Sequence, residues 1–299
     1  MKLAVTGATG FIGSRLIERL AGTGHSCRAL TRRPMPPRPN VTWVEGALDR
    51  PDTLAALVEG ADAVIHIAGL LHGRTAAQFD AVNVAGTRAM VDASRAAGVR
   101  RFVHLSSLAA RHPEISLYGA TKAKSEDVVS PSGLDFAIVR PPAVYGPGDR
   151  ETLDLFRMAK YGLVPMPSEG RLSLIHADDL VDLLIALTEP SAPSSLIVEP
   201  DDGRPTSQRE FAHALGQAVG RRIRPVLVPN IAMQVGAVID GLVRRERATL
   251  TPDRASYFAH EDWSADPSRG VPPQLWQPRI PAEQGLAATA AWYRKEGWL

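Results

Sequence analysis

A doubly wound α/β fold, one parallel sheet covered by helices on both faces and followed by a smaller, mainly helical portion, is the class this sequence predicts. Three observations predict it. Short β-branched runs alternate with longer amphipathic segments as far as "SLIVEP". A glycine-rich turn, "VTGATGFIGSRL", joins the first run to the first amphipathic segment. After residue 148 the alternation stops: "YGPGDRETLDLF" and "YGLVPMPSEG" are broken by proline and glycine, and the chain beyond "EPDDGRPTSQ" reads as helices with irregular links.

The strand runs are "KLAVTG", "SCRALTR", "VTWVEG", "AVIHIAG", "RRFVHLSS", "DFAIVRP" and "SLIVEP". Between them "FIGSRLIERLAGTG", "DTLAALVEGA", "QFDAVNVAGTRAMVDASRAAG" and "YGATKAKSEDVVS" have helical character. Crossovers of this length are right-handed and make the sheet parallel, with ligands bound at the carboxyl ends of its strands. The predicted division is a first domain at 1–148, to which 172–198 return, and a second at 149–299.

Composition narrows the class of function. The chain of 299 residues is 44% hydrophobic and 22% charged, ordinary values for a soluble domain. A formal net charge of +2 is too small to point to nucleic acid or an anionic membrane surface, so any basic chemistry has to be local. The single cysteine, Cys27, lies in an apolar run, cannot form an internal disulfide and reads as a small buried hydrophobe. The longest apolar stretch, "NIAMQVGAVIDGLV", is short, broken by glycine and interrupted by Asp240, which excludes a membrane span; in the second domain it reads as core. With "KLAVTG" directly at the N-terminus, the expectation is a cytoplasmic protein.

Gly7, Gly10 and Gly13 follow the first strand and head the first helix. Glycine permits the tight turn and lets a pyrophosphate approach the backbone, while the helix N-terminus supplies N–H donors and the positive end of a dipole. This is a dinucleotide-binding signature of the Rossmann type.

Thr6-Gly7-x-x-Gly10-x-x-Gly13, then "HIAG", "NVAGT", "HLSS", Tyr118-x-x-x-Lys122 and "RPPAVYGPG", resembles the extended short-chain dehydrogenase/reductase superfamily, with its NAD-dependent epimerases, dehydratases and reductases. The resemblance covers nearly the whole chain, including a C-terminal segment similar to that of reductase-like members. It implies a cofactor site made by Gly7, Thr9, Gly10, Phe11, Ile12, Gly13, Arg32, Arg33, Leu48, Ala68, Gly69, Pro141 and Val144, together with Tyr118 and Lys122. In NAD-preferring relatives an acidic residue ends the second strand. Here Thr31 stands there, followed by Arg32 and Arg33, which suits the 2′-phosphate of NADP(H); NAD(H) stays possible. Where relatives have an aspartate near the adenine, this chain has Ala47.

The resemblance also assigns the chemistry. Tyr118 and Lys122 are one helical turn apart and share a face. Of the five tyrosines only Tyr118 has a lysine four residues on. Lys122 is expected to hold the nicotinamide ribose and to lower the phenol's pKa, Tyr118 to be the acid/base, and Ser107 to hold the substrate oxygen, with Ser106 structural. Asn83 of "NVAGT" either supports a relay water or bonds nearby backbone. His176, Asp178 and Asp179 in "LIHADDL" read as a strand end whose aspartates cap a helix; no metal site is expected.

Two departures concern the substrate. From Ser107 to Tyr118 is only eleven positions, shorter than in sugar-nucleotide enzymes. Where those enzymes carry an arginine for the nucleotide phosphates, this chain has Leu172, Ser173 and Leu174, with the adjacent Arg171 facing the other way along a strand. The expectation is an NADP(H)-dependent oxidoreductase acting on the carbonyl or alcohol of a small substrate without a nucleotide diphosphate. An NAD(P)-dependent sugar epimerase or dehydratase is the alternative, and a non-catalytic NADPH-binding accessory or sensor protein a further one. The oligomeric state is left open, a homodimer included.

Overall fold

A computed structural model describes residues 1–167, 169–244 and 250–299. The seven strand runs of the sequence form one parallel sheet: β1 (Lys2–Thr6), β2 (Ser26–Thr31), β3 (Val41–Glu45), β4 (Ala63–His66), β5 (Arg101–Leu105), β6 (Asp135–Val139) and, after four short intervening strands, β11 (Leu196–Val198). The order is β11-β6-β5-β4-β1-β2-β3. Succession reverses between β1 and β4, whose pairing runs from Leu3–Ala63 to Thr6–His66, so the crevice of a doubly wound sheet opens at their carboxyl ends. Strands β4 and β5 are buried along their whole length, as a sheet with helices on both faces requires.

One face is covered by α1 (Phe11–Ala21) and α7 (Ala177–Ala186), with Leu16, Ile17, Leu20, Leu180 and Leu184 packed on Leu3, Val5, Ile65 and Val103. The other face carries α2 (Pro51–Val58), α4 (Gly86–Ala96) and α5 (Leu117–Val129), which bury Leu54, Leu57, Met90 and Val129 against Val64, Phe102 and Ile138. Cys27 is buried, and that burial pushes its thiol up to about 12.

The stretch read as one helix between Gln78 and Gly98 is interrupted. Helix α3 (Ala76–Phe79) runs into a π-helical segment, Asp80–Ala85, before α4. The Gly86 N–H reaches back to the Ala81 carbonyl, so one residue is squeezed out of the helical repeat, and Asn83 lies inside this bulge.

The C-terminal portion is mainly helical. The short strands β7 (Ala143–Tyr145), β8 (Leu163–Met166), β9 (Arg171–Leu172) and β10 (Leu174–His176) form small sheets apart from the large one, β7 beside β10 and β8 beside the later β13 (Arg224–Leu227). Strands β12 (Thr206–Ser207) and β14 (Asp262–Trp263) flank β9. Helices α6 (Leu153–Lys160), α8 (Gln208–Val219) and α11 (Ala282–Lys295) enclose a separate apolar cluster of Tyr145, Phe156, Leu215, Leu286 and Tyr293. Ser207 and Glu210 form a reciprocal capping box at the start of α8, and Gly220 ends it in a left-handed conformation. Helices α9 (Asn230–Arg244) and α10 (Pro252–Ala259) follow.

The reading of "NIAMQVGAVIDGLV" as core is overturned. Ile231, Val235, Val238, Ile239, Leu242 and Val243 of α9 are exposed, and among its described residues only Ala237 is buried. Periodicity identified an apolar stripe; which side of the helix met its neighbour was set by polar contacts to α10, described below.

Candidate active site

The glycine turn builds a cradle at the head of α1. Gly7 is left-handed (φ 72°), and a Cβ there would meet the Ala68 backbone nitrogen at 2.7 Å, so the β1 and β4 loops approach closely only because the side chain is missing. A Cβ at Gly13 would overlap the Gly7 carbonyl oxygen. Gly10, the residue before α1, makes no side-chain cap, which leaves the first-turn N–H groups of Phe11, Ile12 and Gly13 unspent by side chains and directed at the crevice. Thr9 and Gly10 are exposed beside them. These residues fit the pyrophosphate of a dinucleotide.

Arg15 locks the far wall. Its guanidinium forks onto Asp178 with two 2.6 Å bonds and donates to the Pro147 carbonyl at 3.1 Å, joining α1, the loop after β7 and α7. Val144 lies on β7 in register with Ile175, and the Pro141 carbonyl accepts from Leu108 N–H at 3.1 Å. Arg32 and Arg33 follow β2 exposed. The Thr31 hydroxyl between sheet and loop donates to the Arg33 carbonyl at 2.6 Å. Leu48 packs where Gly86 has no side chain, 2.7 Å from the position a Cβ would take.

The second group of residues converges from β4, β5 and α5. Ser116 caps α5 by accepting from Gly119 N–H at 3.0 Å, which sets Tyr118 in the first turn and Lys122 one turn on. The Ser107 hydroxyl lies on the Tyr118 phenol's side of the site and favours its charged form. Lys122 Nζ donates to the Leu105 carbonyl at 2.6 Å, at the end of β5, and lies near Gly69. Ser107, Tyr118 and Lys122 are thus brought together with Gly69, while Gly7 and Ala68 bring the cradle alongside.

The expected lowering of the Tyr118 pKa by Lys122 is not what the structure shows. Burial pushes the phenol above its ordinary value, and the Ser107 hydroxyl only opposes this in part. Burial pulls Lys122 down to about 8, with Glu126 opposing. Beneath them His66 and His104 stack with ring centroids 5.4 Å apart, held by Thr6 and Thr87 and by Ser125 respectively. Burial and the Lys122 charge hold both imidazoles far below their usual range, His66 at about 3, so they stay neutral.

A lysine whose folded pKa lies below its ordinary 10.5 costs stability while it is charged in the fold, and that cost is relieved as the pH rises from about 8 towards 10.5. Comparing wild type with Lys122→Met by thermal melting, the variant is therefore expected to lose ground by about 2 kcal/mol between pH 8 and pH 10. A difference that does not change with pH would show that the ammonium is not desolvated.

Asn83 bonds backbone, though not that of its own helix. Its Oδ1 accepts from Leu70 N–H at 2.6 Å, while its Nδ2 donates to the Leu70 carbonyl at 3.1 Å and to Thr121 Oγ1 at 3.0 Å. Both amide hydrogens are committed, so Asn83 pins the loop after β4 to α5 and has no donor left for a water. Ser106 is structural as expected, donating to Glu126 Oε1. His176, Asp178 and Asp179 correct the expectation that the aspartates cap α7. The cap is His176, whose Nδ1 accepts from Asp178 N–H at 3.2 Å. Asp178 is held by Arg15, and Asp179 Oδ2 accepts from the N–H groups of Arg279 and Ile280 at 3.1 and 2.9 Å. Among the described residues no group of acidic, histidine and cysteine side chains has metal-binding geometry.

Sequence reasoning missed the ion network under Ser106. Arg140 forks onto Glu126, with its shortest contact at 2.6 Å, and touches Glu199 at 3.4 Å. Glu199, fully buried, also accepts from Arg111 at 3.2 Å and from Asp266 N–H at 2.9 Å. It missed the roof as well. Helix α10 reaches α5 where Leu117 N–H donates to Asp253 Oδ1 at 2.7 Å; its Tyr257 stacks on Trp263 with centroids 4.6 Å apart. Glu151 bridges His72 at 2.6 Å and Arg254 at 3.1 Å across the mouth. Arg171 is exposed and Ser173 buried, its hydroxyl donating to Asp201 at 2.8 Å.

The sequence profile of the NAD dependent epimerase/dehydratase family matches residues 3–196. The chain is 38% identical over 315 aligned positions to "Ceramide reductase" of Caulobacter vibrioides, covering 99% of this chain and 96% of that protein. It is 28% identical to "2-alkyl-3-oxoalkanoate reductase" of Stenotrophomonas maltophilia, covering 96% and 97%. Among solved structures, MoeE5 in complex with UDP-glucuronic acid and NAD superposes with a TM-score of 0.75 over 99% of both chains at 21% identity, a likeness of fold. The chain belongs to the NAD dependent epimerase/dehydratase family and is an NAD(P)-dependent enzyme of the extended short-chain dehydrogenase/reductase type.

Proposed function

We propose that the protein is an NADP(H)-dependent ketoreductase whose substrate is a ketone on a long, largely apolar chain, of the class whose reduced form is a ceramide. The observation that carries this reading is the half-buried Tyr118 phenol near Ser107, with Lys122 one turn along α5, bonded to the Leu105 carbonyl and beside the Gly69 loop. Support for the substrate class comes from the reductases to which the chain is similar: their names join carbonyl chemistry to alkyl or acyl substrates. Leu172 and Ser173 offer no cation for a nucleotide diphosphate. Residues 149–299 would form most of the substrate side and 1–148, with 172–198, the cofactor side, in the reducing environment of the cytoplasm.

Reduced nicotinamide supplies the hydride when bound. As charge grows on the substrate oxygen, Ser107 Oγ holds that oxygen and Tyr118 Oη gives it a proton; in the reverse direction Tyr118 takes the proton from the alcohol. A phenol raised by burial stays protonated at neutral pH, the form a reductase needs. Lys122 would orient the nicotinamide ribose. Asn83 fixes the loop carrying Gly69, and Tyr257 with Trp263 excludes water above the carbonyl.

NADPH is expected to bind about ten- to a hundred-fold more tightly than NADH, the worth of a charge-assisted arginine–phosphate bond, and Arg32→Ala to remove much of the difference. Calorimetric titration checks both; equal affinities would make Arg32 and Arg33 a solvated loop. The function itself is tested by NADPH oxidation against long-chain N-acyl amino ketones, 2-alkyl-3-oxo acids and UDP-sugars. Turnover of the long-chain ketones is expected. Turnover confined to UDP-sugars would establish the epimerase or dehydratase reading, and tight NADPH binding without any turnover the accessory one.

A further inference from the structure

Helix α9 has its polarity turned inside out. Its polar side chains face the protein: Gln234 Nε2 donates to Ser256 Oγ of α10 at 3.1 Å, and Asp240 Oδ2 accepts from Leu250 N–H at 2.9 Å. Its large aliphatic side chains face out. Ile231 is 79% exposed, Leu242 73% and Val243 76%, with Val235, Val238 and Ile239 each more than half exposed. A surface helix ordinarily does the reverse, and a contiguous apolar face of this kind marks a surface that something apolar covers.

Exposed apolar side chains also precede the helix in the chain. Val226 and Leu227 of β13, directly before it, are exposed, as are Leu163 of the paired β8 and Tyr161. Arginines stand at both ends in sequence: exposed Arg221, Arg222 and Arg224 ahead of the apolar strip, and Arg244, Arg245 and Arg247 with a single Glu246 after Val243.

We propose that the outward face of α9 docks on an anionic phospholipid bilayer, with the enzyme lying on the membrane surface. An aliphatic stripe flanked by arginines is the chemistry of an interfacial helix, the stripe entering the acyl boundary and the guanidinium groups meeting lipid phosphates. The helix is fifteen residues long, and among the described residues no helix is long and apolar enough to cross a membrane. A second copy of the chain fits less well. A two-fold contact is self-complementary, so it would bring exposed Arg221, Arg222 and Arg224 of one copy near those of the other, whereas a negative lipid surface complements them. The net charge of +2 does not oppose docking, because exposed Arg221, Arg222 and Arg224 precede the apolar strip in the chain.

Docking there would set the candidate active site beside the lipid. Helix α10, on which α9 packs, is the element whose Asp253 bonds the N–H of Leu117, the residue before Tyr118. A long-chain substrate could then pass from the bilayer to the site without crossing water. The docking surface stands on the exposed face alone and does not depend on the reductase reading.

The test is co-sedimentation of the full chain with vesicles of equimolar phosphatidylglycerol and phosphatidylcholine, and with phosphatidylcholine alone, without cofactor or substrate. Mass is measured in parallel by light scattering. Binding to the anionic vesicles, weakened by high salt, is expected. Ile239→Glu and Leu242→Glu should each weaken it about tenfold or more, since burying one aliphatic side chain is worth at least that factor. Retained NADPH binding and an unchanged melting temperature show that the variants fold. Failure to bind anionic vesicles overturns the proposal. If the protein instead self-associates and Ile239→Glu abolishes the association, a second copy covers the face; if it is monomeric and ignores vesicles, nothing does.

Discussion

Tyr118→Phe is expected to lower turnover of a ketone by about two to four powers of ten, the contribution of a positioned general acid, while leaving folding and NADPH affinity intact. The substitution removes one hydroxyl. Tyr118 is partly covered, its helix is held to α10 through the Leu117–Asp253 bond, and the cradle at Gly7, Gly10 and Gly13 is untouched. What is lost is the proton that meets the growing charge on the substrate oxygen. Steady-state kinetics with calorimetric NADPH titration separates the two effects. Unchanged turnover would make Tyr118 a packing residue, and lost cofactor binding would mean its ring is part of the cradle.

Glu126→Ala should be the most damaging single change to stability, by about 3 to 5 kcal/mol, read from chemical denaturation. Glu126 is buried on α5, where it accepts from Ser106 and takes both arms of Arg140. Its removal strands a largely buried guanidinium that then has only the longer 3.4 Å contact to Glu199, and unpins the β5 loop that carries Ser107. Glu126→Gln keeps a hydrogen-bond acceptor without the charge and should cost less. A loss below about 1 kcal/mol for the alanine variant would mean that water reaches Arg140 readily.

The sheet was legible because each of its strands carries its own local signature, and the order of motifs along the chain then located the switch point. The pairing of Tyr118 with Lys122 was legible for a related reason: four residues on a helix define a face. The ion network was not, because its partners lie 14, 59 and 88 residues apart and meet only once the sheet is assembled. The roof of α10 over α5 was hidden likewise; Leu117 and Asp253 are 136 residues apart. The π bulge at Asp80–Ala85 leaves no mark in apolar spacing, so Asn83 could not be directed to Leu70 and Thr121. For α9 the stripe was visible but its direction was decided by Gln234 and Asp240, whose partners lie on another element or beyond the helix end. The Tyr118 pKa went the wrong way because spacing places Lys122 nearby but says nothing of how completely both groups leave water.

The most direct measurement of the account is to follow deuterium from NADPH labelled at the transferring C4 position into the product of a long-chain N-acyl amino ketone, by mass spectrometry. One deuterium on the new carbinol carbon, formed rapidly by wild type and at least a hundredfold more slowly by Tyr118→Phe, is the predicted result. Alcohol lacking the label, or a labelled alcohol formed equally fast by the variant, would contradict hydride transfer with Tyr118 as the proton donor.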